Sequence, residues 1–380
     1  MPETREFAGA TLTIDLGAIV ANWRALDAEV GDATCAAVVK ADAYGLGAEA
    51  VVPALAAAGC RTFFVATLDE ALAIRPLVPE VLISAFFGIR NAEEAAACRA
   101  HNISPVLNHL GQIALWQAMV NTDVALPPAW LHVDTGMTRL GLPEREVNAL
   151  AIEPERLTGV PLAGVMSHLA SAEEPDDPMN TVQRDRFAEA SEALAPLLGA
   201  AAKRSLANSS GIFLGPDYHF DLARPGAALY GLNPRPRAPN CMSEVIRLQG
   251  KILQVQCVDS PQTVGYGAAH VVTGPARVAT IGVGYADGYL RSGSGRASAR
   301  LGEHTVPVIG RVSMDLITLD ISGVPEHEAR PGMLVELIGP HYPADTLAAD
   351  AGTIGYEILT SLGKRYDRQY VGAPVGACAP

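Results

Sequence analysis

Residues 36–47 read AAVVKADAYGLG, an apolar run that ends on Lys40 and breaks at once into a loop carrying Gly45 and Gly47. A continuous apolar run of this length suits a strand buried on both faces, as in a parallel sheet. Outward from it, similar runs recur at 63–66, 81–85, 103–107, 131–133, 162–166, 205–207 and 227–230, which makes eight candidate strands. Between them lie Ala-rich amphipathic stretches. In 182–198, for example, Phe187, Ala190, Leu194 and Leu197 recur at helical spacing. Eight strand–helix units predict an α/β protein with an N-terminal (β/α)8 barrel. A doubly wound sheet is the alternative that pattern alone leaves open.

Near 233–240 (NPRPRAPN) the chain turns Pro-rich and loses its apolar periodicity, so a domain boundary is expected there. Beyond it, 245–258, 276–284, 304–321 and 333–338 are rich in Val, Ile and Thr, with Gly and Pro between them. That texture predicts a smaller, mostly antiparallel β domain. The expected division is a barrel over 1–240 and a β domain over 241–380. At 380 residues the chain is too long for one ordinary core.

Hydrophobic residues make up 49% and charged residues 18%, which excludes a disordered chain. The net charge of −13, with no cluster of Lys or Arg, disfavours nucleic acid and anionic membranes as partners. The first ten residues are polar, and no apolar stretch approaches the roughly 18–20 residues that span a bilayer. A cytoplasmic protein is therefore expected. Cys35, Cys60, Cys98, Cys241, Cys257 and Cys378 are scattered without a C-x-x-C pair and read as reduced structural thiols.

In such a barrel the chemistry sits at the C-terminal ends of the strands. Lys40 occupies one such end. Asp134, Thr135 and Arg139 follow another in LHVDTGMTRLG, His168 ends LAGVMSH, Asn208 and Ser209 end RSLANSS, and Arg224 and Gly226 enter the last unit. A lone lysine at a strand end is ordinarily a solvated one. Together with these other polar groups on one face, a desolvated lysine of lowered pKa is the natural amine for a Schiff base. The Gly-flanked loop and the Asn208-Ser209 pair offer donors to an anion, and barrels often bind phosphate after strands seven and eight. Lysine imine plus phosphate pocket suggests pyridoxal phosphate. No second histidine lies at metal-ligand spacing from His168, so no metal site is expected. The glycine-rich stretch 282–288 leads into a Gly/Ser loop and not a helix, so tight turns explain it better than a dinucleotide site.

At this point the sequence resembles the alanine racemase family, pyridoxal-phosphate enzymes with a barrel and a β domain. AVVKADAYGLGA, HVDTGMTRLG, VMSHLA, LANSSG, ARPGAALYG, TVGYGAAH, GVGYADGY, GRVSMDL and GYEILTSLGKR carry the resemblance, in the family's order and over essentially the whole chain. It implies that Lys40 carries the cofactor and serves as one acid/base, with Tyr266 as the opposite base. Arg224 matches the arginine facing the pyridine nitrogen, and His168 the histidine between Arg224 and Tyr266. Tyr44, Ser209, Gly226, Ala227 and Tyr356 match phosphate-binding positions, Arg139 and Met314 substrate-carboxylate positions, and Tyr285 an entrance-lining one. Many members carry a carbamylated lysine two residues before the Asp of the DTG motif, where it supports the arginine; here that residue is His132.

The implied reaction is two-base interconversion of L- and D-alanine on the cofactor's imine, supplying D-alanine for peptidoglycan. The implied assembly is a head-to-tail homodimer with Tyr266 and Met314 capping the partner's barrel. A racemase for serine or another small amino acid is the nearest alternative. A pyridoxal-phosphate decarboxylase of the same fold typically sets a carboxylate against the ring nitrogen, which Arg224 argues against. A non-catalytic carrier of the single-barrel kind would leave residues 241–380 without a role.

Overall fold

The computed structural model describes residues 7–120 and 125–372. Residues 1–6, within the polar N-terminal stretch, and Cys378 lie outside the described residues. Seven strands pair in sequence order, all parallel: Ala37–Val38, Thr62–Val65, Leu82–Ala85, Ile103–Leu107, Ala129–His132, Leu162–Met166 and Lys203–Ser205. The eighth, Leu222–Ala223, pairs parallel with Thr34–Cys35, the first half of the strand that continues as Ala37–Val38. Its other edge is tied back by Asp221 N–H to Arg204 O and Arg224 N–H to Ala207 O, 3.0 and 2.9 Å. The sheet therefore closes on itself. The barrel was the correct alternative, and closure removes both open edges.

One expected strand was misplaced. Ala227–Tyr230 is a 3-10 turn, and the eighth strand lies a few residues earlier. Pro225 has no N–H, and Gly226 adopts φ −128°, ψ −81°, which is not a strand conformation. The AALY run is apolar because all four residues are buried, not because they are extended. The helix expected at 182–198 runs Pro178–Leu194 and ends in a 3-10 turn at Ala195–Leu197. Asp177 caps it by accepting the Met179 N–H, and Pro178 occupies the first turn, where its missing N–H costs nothing. Its buried face carries Asn180, Gln183, Phe187, Ser191 and Leu194.

The C-terminal region is organised around the long strand Ile246–Val258, which pairs antiparallel with Ala276–Ile281 and Leu334–Ile338. It also pairs with Ala10–Asp15, which lies parallel to Asp367–Val371 on its other edge. A single cut at residue 240 is therefore not what the fold does. The first strand belongs to the C-terminal sheet, because ATLTID alternates buried and half-exposed residues as a strand on a one-sided sheet requires. One apolar cluster runs from Ala10 to Tyr366 through both units. A small satellite of Val258, Val264, Val272, Val278 and Ile309 underlies the hairpin that carries Tyr266. Cys35, Cys60 and Cys98 are buried free thiols, and Cys241 and Cys257 are exposed ones. Among the described residues, no helix is long and apolar enough to cross a membrane.

Candidate active site

The strand Ala37–Val38 delivers Lys40 to the barrel mouth, and the chain then makes an unusual turn. Ala41, Asp42, Ala43 and Tyr44 all have φ between 53° and 56°. L-residues pay about 1–2 kcal/mol each for left-handed backbone, so the turn needs external support. Glu70 supplies some of it. Its Oε1 accepts the Ala41 N–H at 2.7 Å, while Oε2 accepts the N–H groups of Ala66 and Thr67 as part of a capping box. Asp42 Oδ1 accepts the Ala48 N–H at 2.7 Å. From the C-terminal strand, Arg368 donates to Gly45 O at 2.7 Å and the Tyr370 hydroxyl to Leu46 O at 2.9 Å.

The turn aims Tyr44 inward. Its ring stacks on Tyr230 at 4.7 Å between centroids and lies 6.0 Å from Tyr356, on the helix Gly355–Ser361. Burial pushes both the Tyr44 and Tyr356 phenols upward, so each is a neutral O–H donor. The Tyr44 hydroxyl lies so close over Gly226 that a Cβ there would come within 2.2 Å of it. Ser209 Oγ accepts the N–H groups of Gly226 and Ala228 at 2.9 and 3.2 Å, which leaves its own proton to donate. The N–H of Ala227 lies between those two along the chain.

Arg224 is buried without a carboxylate partner among the described residues. One terminal nitrogen donates to Ser205 Oγ, the other to the Ser167 carbonyl, and its guanidinium carbon stands 5.9 Å from the Phe64 ring centroid. The Ser205 hydroxyl in turn donates to Leu222 O at 2.6 Å. Desolvation lowers Arg224 to about 9, which leaves it charged at neutral pH. The His168 imidazole is held well below its usual value, first by burial and then by Arg224, Arg139 and Lys40. Gln183 fixes the backbone on both sides of that residue, accepting the Ala170 N–H at 2.8 Å and donating to His168 O at 2.9 Å. It also donates to Thr135 Oγ1, which is bonded to Ser167 Oγ at 2.8 Å.

The turn after Ala129–His132 is organised by Asp134 Oδ1, which accepts the N–H groups of Gly136, Met137 and Thr138 at 2.9–3.1 Å. Arg139 stands exposed just beyond it. Burial lowers the Lys40 amine, and Arg139 lowers it further, with Glu70 opposing. The mouth thus gathers Lys40, Arg139 and Arg224 as cations with two neutral imidazoles. Asp134 and Glu70, the carboxylates acting on these groups, are occupied by backbone N–H groups. Such a site is built for an anion that the protein itself does not supply. The lowered Lys40 amine, the O–H donors of Tyr44, Ser209 and Tyr356, and the cradle over side-chain-free Gly226 fit pyridoxal phosphate.

Tyr266, Tyr285 and Met314 lie elsewhere. They are 71%, 42% and 53% exposed on the C-terminal unit. Tyr285 and Met314 are neighbours: the Tyr285 N–H donates to Ser313 O and the Ala286 N–H to Met314 O, 3.0 and 2.9 Å. No hydrogen bond or ring contact among the described residues joins these three side chains to Lys40. The expected residues thus form two sets, one at the barrel mouth and one on an exposed face. Sequence reading missed Glu70, Asn108, Gln183 and Ser205. Only Glu70 carried a local signal, the T-x-x-E of a capping box.

Two family descriptions match: Alanine racemase, N-terminal domain, over residues 14–234, and Alanine racemase, C-terminal domain, over residues 245–370. The chain is 50% identical over 373 residues to an alanine racemase of Rhodospirillum rubrum, covering 97% of this chain and 98% of that one. It is 53% identical over 359 residues to one of Acidiphilium cryptum, covering 94% and 98%. Among solved structures, the alanine racemase of Bartonella henselae with covalently bound pyridoxal phosphate superposes with a TM-score of 0.90 at 40% identity, covering 96% of this chain and all of that one. On these matches, spanning both structural units, the chain belongs to the alanine racemase family.

Proposed function

We propose that the barrel mouth is where this chain interconverts L- and D-alanine, with pyridoxal 5'-phosphate held by Lys40 and with Tyr266 arriving from a second copy. Racemisation of alanine with this cofactor follows from membership of the family at about half identity over nearly the full length. The observation that carries the choice of site is the cationic mouth around Lys40, whose two nearby carboxylates are already engaged.

In this reading Tyr44, Ser209, Gly226, Ala227 and Tyr356 hold the phosphate, Arg224 the ring nitrogen, and Arg139 with Met314 the substrate carboxylate. Bound there, the cofactor supplies an electron sink for the pair left when the Cα–H bond breaks. Arg224 keeps its own proton at neutral pH, so it donates a hydrogen bond without protonating the ring nitrogen. That weakens the sink and discourages transamination. Lys40 Nζ, its amine lowered by burial, takes or returns a proton on one face of Cα. Tyr266 Oη does so on the other.

The exposure of Tyr266 and Met314 supports their delivery to another subunit, and a head-to-tail homodimer is part of the proposal. So are a cytoplasmic location and the supply of D-alanine for peptidoglycan. The test is a chiral assay of purified protein with L-alanine and L-serine in parallel, followed by borohydride treatment of the yellow protein. D-alanine should form faster than D-serine, and the pyridoxyl label should lie on the peptide containing Lys40. Labelling of Lys203, Lys251 or Lys364 instead would refute the site.

A further inference from the structure

Tyr285 and Met314 sit on two separate loops of the C-terminal unit, and a third segment fastens both. Arg365, just past the helix Gly355–Ser361, directs its guanidinium at two carboxylates. Nε and one terminal nitrogen form a fork on Asp287 at 2.5 and 2.8 Å, and the other terminal nitrogen donates to Asp315 at 2.8 Å. Asp287 is buried at the end of the 3-10 turn Tyr285–Asp287, and Asp315 directly follows Met314. Asp287 Oδ2 also accepts the Gly284 N–H at 2.9 Å, so the same carboxylate closes the turn that presents Tyr285.

The backbone leaves little slack among the three segments. A Cβ on Gly284 would meet Ser313 O and Met314 O at 2.4 Å, and one on Gly288 would meet Ser361 O at 1.8 Å. The Gly363 N–H donates to Asp287 O at 2.9 Å. Ser313 closes the Met314 loop by donating its N–H and its hydroxyl to Leu316 O, at 3.0 and 2.9 Å. Two carboxylates on different loops thus share one guanidinium. Without it, a buried Asp287 and an exposed Asp315 would keep two like charges side by side and push their loops apart. A lysine offers one compact charge and no fork, so it cannot hold both in this geometry.

We propose that Arg365 is a positioning residue for the neighbouring subunit: by clamping Asp287 and Asp315, it sets Tyr285 and Met314 in the geometry that enters a second copy's barrel mouth. This rests on the reading of Met314 as a substrate-carboxylate contact presented across a dimer. A guanidinium in one chain then governs substrate binding at a site whose lysine belongs to the other. The same segment also leads inward, because Arg368 donates to Leu362 O and Gly363 O at 3.0 and 3.1 Å as well as to Gly45 O. The competing role for Arg365, propping the turn behind Lys40 in its own chain, makes the opposite prediction.

Holoenzyme heterodimers, purified through two different tags, separate the roles. One chain carries Lys40→Ala and supplies the intact Tyr266 face. The other carries Tyr266→Ala and supplies the intact barrel, so a single site works. Arg365→Gln on the Lys40→Ala chain should raise KM for both alanine enantiomers about tenfold, the size of a lost charge-assisted hydrogen bond, with kcat changed less. On the Tyr266→Ala chain the same substitution should leave KM near the parental value, and the cofactor absorbance should match in both arrangements. Arg365→Lys should recover only part of the loss. Asp315→Asn, at an exposed position where folding is not at stake, should raise KM on the same chain by a smaller factor. An equal rise in both arrangements, a rise only on the Tyr266→Ala chain, or no rise in either overturns the proposal. If the parental pair is inactive although heterodimers form, the shared-site reading has failed, and the proposal falls with it.

Discussion

The turn that follows Lys40 and the hairpin that carries Tyr266 hold the two proposed proton carriers, and they are built in opposite ways. Lys40 opens a left-handed turn fastened to Glu70 on the next barrel unit and to Arg368 and Tyr370 on the C-terminal strand. Tyr266 opens a one-turn 3-10 helix between strands of three residues each, over a satellite of five buried side chains, and is 71% exposed. The amine has its protonation set by its own chain, through burial and the neighbouring Arg139. The phenol has an open face, which the proposed dimer would cover. A site divided as proposed would be inert in either half alone.

The largest expected effect breaks the comparison at its centre. Lys40→Ala and Tyr266→Ala should each lower racemisation by about 10²–10⁴, the usual contribution of a positioned acid or base. Dissociated and reassociated together, the two variants should recover about a quarter of wild-type activity, because random pairing makes half the dimers heterodimers with one working site of two. No recovery in demonstrated heterodimers would mean that Tyr266 serves its own chain. Next in size is Glu70→Ala, which strips acceptors from the Ala41, Ala66 and Thr67 N–H groups. Chemical denaturation should show a loss of about 2–3 kcal/mol. The same experiment on the Tyr266 hairpin, with Val271→Ala at a half-exposed position, should cost well under 1 kcal/mol.

Acid sensitivity sharpens the contrast. His132 is held at about 4 against a usual 6.5, so the unfolded chain takes up a proton that the native one refuses. Its contribution to stability is complete above about pH 6.5 and is lost as pH falls toward 4, on the order of 2 kcal/mol by about pH 5. His132→Gln should flatten the acid limb of the Tm curve, although His168, shifted the same way, keeps part of it. An unchanged limb would place the proton uptake elsewhere. The smallest effect runs in the opposite direction. Ala41 is exposed at φ 53°, so Ala41→Gly removes about 1–2 kcal/mol of left-handed strain against about 0.5–1 of added chain entropy. The variant should be slightly more stable, and a destabilised one would mean the Ala41 methyl is doing something its exposure does not show.

Most of the barrel was legible because its strands are contiguous apolar runs, and the residues at their ends could be placed by counting. Ala227–Tyr230 was misread because burial, not extension, made it apolar, and sequence records only the first. The membership of Ala10–Asp15 in the C-terminal sheet rests on pairing with residues more than two hundred positions away. Lys40, His168 and Arg224 stood out as polar groups in apolar settings. Their supports did not. Asn108, Gln183 and Ser205 act through partners on other strands and helices, and a buried Gln on a helix looks the same in sequence as a solvated one.

The last described strand, Asp367–Val371, has a consequence for how the protein comes to be made. Arg368 reaches Gly45 across 323 residues and Tyr370 reaches Leu46 across 324. At a ribosomal rate of about 5–20 residues per second, roughly a quarter of a minute to a minute separates the emergence of the two ends of those bonds. During that interval the nascent chain has its lysine but lacks the clasp that sets the turn behind it. Ala10–Asp15 likewise waits for Ile246–Val258 and then for Asp367–Val371 to complete its pairing. The turn behind Lys40 is therefore finished by residues translated more than three hundred positions after it, and a nascent chain stalled just short of them would present the amine in a mouth that is not yet shaped to use it.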